Sequence, residues 1–217
     1  MKHRLLIGIV LLVAFIGGIW AALTIAPPQT SSFEPEYDYY QPYPAARELS
    51  DFTFQRASGD LLTPEDLKGH WTLVFLGYTH CPDICPTTLA ALNKIYPQLT
   101  TLSPELPVQI MFLSVDPKRD SPERLAAYKA YFNEDFIAAT ADHGQVFPFV
   151  RSIGMMYAIS ESTEADDYLV DHSGSIVVIG PDGTARGRFK PQSLPGQVGI
   201  VNPEHIVTDL PQIIQTN

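Results

Sequence analysis

Basic side chains are scarce. Lys and Arg number 14 against 24 Asp and Glu, a formal net charge of −10, and the cations form no run longer than the isolated pair Lys118-Arg119. Binding to nucleic acid generally needs clustered cations that displace counterions, so the composition argues against that class of partner. Charged residues of both signs reach only 18%, while hydrophobic residues make up 45%, too little charge and too much apolar material for a disordered chain. Cysteine occurs only as Cys81 and Cys85, which excludes a disulfide-dense scaffold. No segment repeats, and 217 residues suffice for one domain with extensions or two small ones.

One long apolar run is present. Residues 5–25 carry no charge and follow Met1-Lys2-His3-Arg4. As a helix this run spans roughly 32 Å, the thickness of a bilayer core. A cleaved signal peptide usually has an apolar region of only about 7–15 residues and a small-x-small site. Here Pro27-Pro28 directly follows the single late candidate, Thr24-Ile25-Ala26. Residues 1–26 are therefore expected to stay attached as a membrane anchor. Lys2 and Arg4 flank one end, while the other flank has no cation before Arg47 and carries Glu34, Glu36 and Asp38, which places the N-terminus inside and the remainder outside. No cysteine near the run suggests a lipidated N-terminus.

Residues 27–47 alternate proline (27, 28, 35, 42, 44) with Tyr37, Tyr39, Tyr40 and Tyr43. This composition favours extended conformations and reads as a spacer, unless its tyrosines pack on the following domain. From residue 48 to 217, short apolar runs alternate with amphipathic stretches, the order of an α/β domain. Strands are expected at 52–54, 71–78, 108–115 and 136–140. A hairpin is expected at 175–189 around Pro181-Asp182-Gly183. Helices are expected at 87–99, from Ser121-Pro122-Glu123 to 132, at 145–153 with Pro148 in the first turn, and from Asn202-Pro203-Glu204, where Pro211 should kink or end the last one.

The segment 77–86, G-Y-T-H-C-P-D-I-C-P, falls between a buried strand and a helix start. Unpaired backbone N–H groups and the helix dipole lower thiol pKa values there, raising the fraction of reactive thiolate. Three intervening residues put the sulfurs about one helical turn apart, close enough for a disulfide or for one metal ion. A purely structural bridge fits poorly, because closing so short a loop removes little chain entropy. The imidazoles available are His3, His70, His80, His143, His172 and His205. His80 neighbours Cys81 but should diverge at the junction. In a thioredoxin-like sheet, the connection carrying His172, in Y-L-V-D-H-S, lies beside the cysteine turn. Two thiolates and an imidazole are compatible with copper or zinc; structural zinc normally has a fourth ligand, so three-coordinate Cu(I), or Cu(II) with an added oxygen ligand, fits better.

Four segments in order, T-H-C-P-D-I-C-P at 79–86, F-L-S-V-D-P-K-R-D-S-P-E-R-L at 112–125, Y-L-V-D-H-S at 168–173 and I-G-P-D-G at 179–183, resemble the Sco/SenC family of copper chaperones. The resemblance covers the chain from about residue 50 onward. It implies a thioredoxin-like fold with an N-terminal transmembrane helix and copper held by Cys81, Cys85 and His172. It also implies delivery of that copper to the CuA centre of cytochrome c oxidase during assembly. The partners implied are the oxidase subunit that carries CuA and other copper chaperones; the location implied is a bacterial inner membrane, single-pass, with the domain facing the periplasm. The thioredoxin signature has two residues between its cysteines, so this chain departs from general disulfide oxidoreductases. Asp116 matches a family position and either approaches the metal or organises its turn; Asp171 either orients His172 or is a solvated loop acid; Asp83 tunes the loop.

A metallochaperone turns over no small-molecule substrate, so enzyme activity is not expected on the leading reading. The alternative is a membrane-tethered thiol–disulfide reductase that cycles Cys81 and Cys85 as a redox-active pair and keeps the oxidase copper-site cysteines reduced. A copper or redox sensor is a third option. Only copper binding requires His172.

Overall fold

The computed structural model describes residues 2–25, 36–159, 168–192 and 199–216. It divides into two compact units, one ending at Glu36 and one beginning at Tyr37. The first contains helix α1 (Lys2–Ile25), whose apolar side chains, such as Leu11, Val13 and Phe15, are exposed. It is long and apolar enough to cross a membrane.

The second unit is a twisted sheet covered on both faces. In chain order its elements are β1 (Tyr40–Glu48), β2 (Phe54–Arg56), β3 (Leu61–Leu62), β4 (Trp71–Gly77), α2 (Ile84–Leu99), β5 (Val108–Ser114), α3 (Pro122–Ala130), β6 (Ile137–Thr140), α4 (His143–Ser152), β7 (Tyr157–Ile159), β8 (Val170–His172), β9 (Ile176–Ile179), β10 (Thr184–Phe189) and α5 (Pro203–Gln215). The main sheet runs β1-β10-β9-β4-β5-β6-β2-β3, and β7 pairs with β8 as a separate ribbon. Strands β4, β5 and β6 are parallel, whereas β9 lies antiparallel against β4. This arrangement is thioredoxin-like.

Alternation along the central strands divides the interior into two cores. Leu73 and Phe75 of β4, Ile110 and Phe112 of β5 and Ile176 and Val178 of β9 pack with Leu89 and Leu92 of α2 and Ile206 and Leu210 of α5. Val74, Leu76, Met111, Leu113, Val177 and Ile179 face the other way, toward Val146, Phe149 and Val150 of α4. Strands buried on both faces read as continuous apolar runs, which is why 71–78 and 108–115 are legible in the sequence.

Four expectations need correction. The spacer ends earlier than residue 47: residues 27–35 lie outside the described residues, but Tyr40–Glu48 is an edge strand paired with β10. An edge tolerates Pro42 and Pro44, whose missing N–H groups would break an interior ladder. The tyrosines pack on the domain, with Tyr40 buried against Phe189 and Tyr43 Oη donating to the Ile153 carbonyl at 2.7 Å. Asp209 Oδ2, buried in α5, accepts the backbone N–H groups of both Tyr39 and Tyr40 at 2.7 Å. In addition, Pro148 falls in the second turn of α4 rather than its first, and Pro211 does not end α5, which runs on to Gln215. The aromatic run at 52–54 is displaced too: Phe52 is core, stacked on Phe54, and the strand begins only at Phe54.

A chain beginning at Tyr37 is expected to unfold as the intact domain does. One beginning at Leu49 loses β1, uncovers the edge of β10 and strips Tyr40 from Phe189. Its melting temperature should fall by roughly 5–10 °C, with aggregation, in a circular-dichroism melt.

Candidate metal centre

Antiparallel pairing of β9 with β4 sets Ile176 opposite Phe75. The chain leading into β9 therefore passes the C-terminal end of β4, where the cysteine loop begins. His172 is the last residue of β8, four positions before Ile176, and this brings it to the cysteines. Cys85 sits buried in the first turn of α2, and Cys81 is half-buried in the preceding loop, its N–H bonded to the Tyr78 carbonyl. The ligand atoms of Cys81, Cys85 and His172 all lie within 4.8 Å of one another. Cys85 Sγ is 3.4 Å from His172 Nε2.

The imidazole is oriented for ligation. Its Nδ1 faces the Ser173 carbonyl at 3.2 Å, a contact that sets the ring plane and turns Nε2 toward the sulfurs. The edges of Phe75 and Tyr78 meet the ring at centroid distances of 6.0 Å. Close packing also explains Gly77. A Cβ there would come 2.7 Å from Cys85 Sγ and 2.5 Å from the Phe112 ring.

The two sulfurs differ. Cys81 is pushed down to about 3, chiefly because Cys85 donates a hydrogen bond to it; His172 and the backbone N–H groups of Asp83 and Cys85 add to this and outweigh burial. Cys85 moves upward, because its proton is held by Cys81, its sulfur is buried and the Cys81 charge is close. One proton is thus shared across the pair, with the less buried sulfur, Cys81, as the thiolate. Cys81 opens onto a cleft of about 290 Å³ formed by the loop 81–84 and residues 169–172.

Of the other candidates, His80 is outside the cluster; its Nδ1 lies 3.9 Å from Asp120. Asp116 organises its turn instead of reaching the cluster: it is buried, pairs with Arg119 Nε at 2.5 Å and accepts the Tyr168 hydroxyl. The Arg119 guanidinium lies 3.6 Å from the centroid of Tyr168 and 5.5 Å from that of Tyr78. Asp171 is exposed on β8, opposite Ala158. Asp83 precedes α2 and caps it through its backbone carbonyl, which accepts from Thr87, with no side-chain cap.

Sequence reasoning missed Asp120. This fully buried carboxylate accepts the Thr79 N–H at 2.9 Å, the Thr79 hydroxyl at 2.5 Å and the Ser114 hydroxyl at 2.6 Å. It ties the loop that carries Cys81 to the turn after β5. The available signal was a second acid four residues after Asp116 in V-D-P-K-R-D, where one acid closes the turn and the other is free to reach across.

The sequence profile of the SCO1/SenC family matches residues 41–201. The chain belongs to the SCO1/SenC family. It is 33% identical over 183 residues to the mitochondrial SCO2 homolog of Bos taurus, covering 84% of this chain and 67% of that protein. With the Homo sapiens counterpart it shares 34% over 170 residues, 78% of this chain and 63% of that one. It thus spans about two thirds of the length of these relatives. The crystal structure of Arabidopsis thaliana ScoI with copper bound superposes with a TM-score of 0.67 at 27% identity, covering 78% of this chain and 99% of that one.

In the reduced, metal-free protein, iodoacetamide should modify Cys81 before Cys85. A depressed pKa keeps the thiolate fraction near one until the pH falls toward the folded value, so the rate should be flat from roughly pH 8 down to pH 5. Peptide mapping of timed alkylations reads this. An ordinary thiol midpoint near 8.5 at Cys81 would contradict it.

Proposed function

We propose that Cys81, Cys85 and His172 bind one copper ion and that the protein delivers it to the CuA centre of cytochrome c oxidase during assembly. The observation that carries this reading is the convergence of two sulfurs and an imidazole nitrogen within 4.8 Å. The donor set fits the ion: thiolates favour Cu(I), and imidazole is a good donor to both oxidation states. Kinship with a family that includes a copper-bound structure of the same fold supports it further. The Cys81 thiolate receives the ion, the Cys85 proton is displaced as the second sulfur engages, and His172 completes the set. Because Cys81 borders an open cleft, a partner thiolate can join before the resident ligands leave, so copper moves without being set free.

Orientation follows from the same reading. Helix α1 stays attached, in a bacterial inner membrane, and the domain faces the periplasm, where a reversible Cys81–Cys85 disulfide would exclude copper. The partners are the oxidase subunit that carries CuA and other copper chaperones. A periplasm-dependent reporter fused behind α1 should be active; a mature chain starting near Pro27 would defeat the anchor.

The polarised cysteine pair also favours a second reading, thiol–disulfide reduction. Cys81 would attack a client disulfide, Cys85 would resolve the mixed disulfide, and the client would leave with two thiols as this pair becomes oxidised. Copper titration of the reduced protein beside His172→Ala separates the two. The substitution should weaken Cu(II) binding most, by tenfold or more, since two thiolates still hold Cu(I). Cys81→Ser and Cys85→Ser should weaken both forms, and oxidation of the pair should abolish binding. Equally weak copper binding by the wild type and His172→Ala would remove the chaperone reading.

A further inference from the structure

A second concavity, about 520 Å³, lies against the cysteine loop and is separate from the cleft that Cys81 lines. Thr79, Pro86, Arg124, Tyr128, Tyr131 and Phe132 form it. We infer that this groove docks the polypeptide partner that exchanges copper with the protein, and that it takes an apolar side chain flanked by a carboxylate. The inference rests on the copper-transfer reading and names the surface that serves it.

Three observations converge on this occupant. The walls are mostly apolar and aromatic, and Tyr131 stands 90% exposed at the rim, a side chain of the kind that anchors protein interfaces. The cation at the groove is Arg124, whose Nε donates to Thr79 Oγ1 at 2.7 Å; no carboxylate pairs with it among the described residues. In a chain of net charge −10, an unpaired guanidinium beside an apolar slot complements an apolar residue with a neighbouring acid, and not a basic segment.

The third observation is continuity with the metal centre. Thr79 and Pro86 bracket the two cysteines in sequence, and both line the groove. Tyr128 on its wall lies near the cysteine pair: burial is the main cause that raises its hydroxyl pKa, followed by electrostatic interaction with the Cys85–Cys81 pair. That hydroxyl is buried with no hydrogen-bond partner among the described residues. A partner anchored here reaches across residues 79–81 to the half-buried Cys81 thiolate at the cleft, so its own ligands arrive already oriented, which replaces a costly bimolecular search with a local exchange.

The test uses the full chain in detergent, reduced and copper-free, titrated with the soluble domain of the oxidase subunit that carries CuA. Arg124→Glu and Tyr131→Ala should each weaken binding about tenfold or more, the Arg124 effect shrinking at high salt, and Arg124→Lys should retain most of the affinity. Competition for Cu(I) against a chelator should be unchanged in all three variants. Wild-type affinity in both Arg124→Glu and Tyr131→Ala would overturn the inference, as would failure of the wild type to bind the domain. Failure of the wild type to hold Cu(I) against the chelator would instead defeat the copper-transfer reading, and it is read in a separate measurement. Tyr131 is on the surface, so its truncation leaves the fold intact.

Discussion

Because β9 runs antiparallel to β4 with Ile176 opposite Phe75, the segment before β9 must cross the end of β4 at the cysteine loop. The clustering of Cys81, Cys85 and His172 depends on that crossing. A parallel neighbour would begin at the far end of the sheet and carry its leading residues away from Cys81. The pairing is held by apolar side chains on both faces, Phe75 and Ile176 toward one core and Val74 and Val177 toward the other. Slipping it by one residue would exchange the two faces and move His172 off the sulfurs, so the same hydrophobic alternation that stabilises the sheet fixes the ligand geometry.

Placing the loop is a separate problem, solved with polar groups. The turn after β5 contributes two buried acids with different tasks. Asp116 neutralises Arg119, whose guanidinium stacks on Tyr168 and approaches Tyr78, while Asp120 grips Thr79 and Ser114. Burying an ion pair costs desolvation energy, and here hydrogen bonds and the stacked ring offset it. Together these contacts fasten the approaches to Cys81 and to His172 onto one turn. The sulfurs are then polarised by position: Cys81, in the loop, collects backbone and side-chain donors, and Cys85, inside α2, keeps its proton.

The legible parts of this molecule are those set by local pattern. Double-sided strands, the cysteine spacing, the capping Ser121 and Asn202 and the Gly183 turn all announce themselves within a few residues. His172 was within reach because thioredoxin-like topology and the family resemblance together place its connection beside the cysteines. What stayed hidden depends on distant partners. Proline-rich residues 40–48 look like a linker until β10 offers them an edge and Asp209, about 170 positions away, caps their start. Asp120 resembles any turn acid until Thr79 is seen to donate to it. The groove arises only where α3 meets the start of α2.

On the copper-transfer reading the protein must hold copper tightly and still release it, and a single open site satisfies one demand at the expense of the other. Separating recognition from ligation removes the conflict. If affinity for the partner resides on Arg124 and the aromatic groove, the thiolates and His172 can bind copper as strongly as their chemistry allows. Release then depends on the local concentration of incoming ligands and not on weakened bonds. The same arrangement would give specificity: small thiols that reach Cys81 through its cleft lack the apolar anchor and carboxylate that would keep them there. Net charge −10 disfavours a partner that presents many acids, so the single carboxylate the groove calls for has to be placed at Arg124, the cation that lines it.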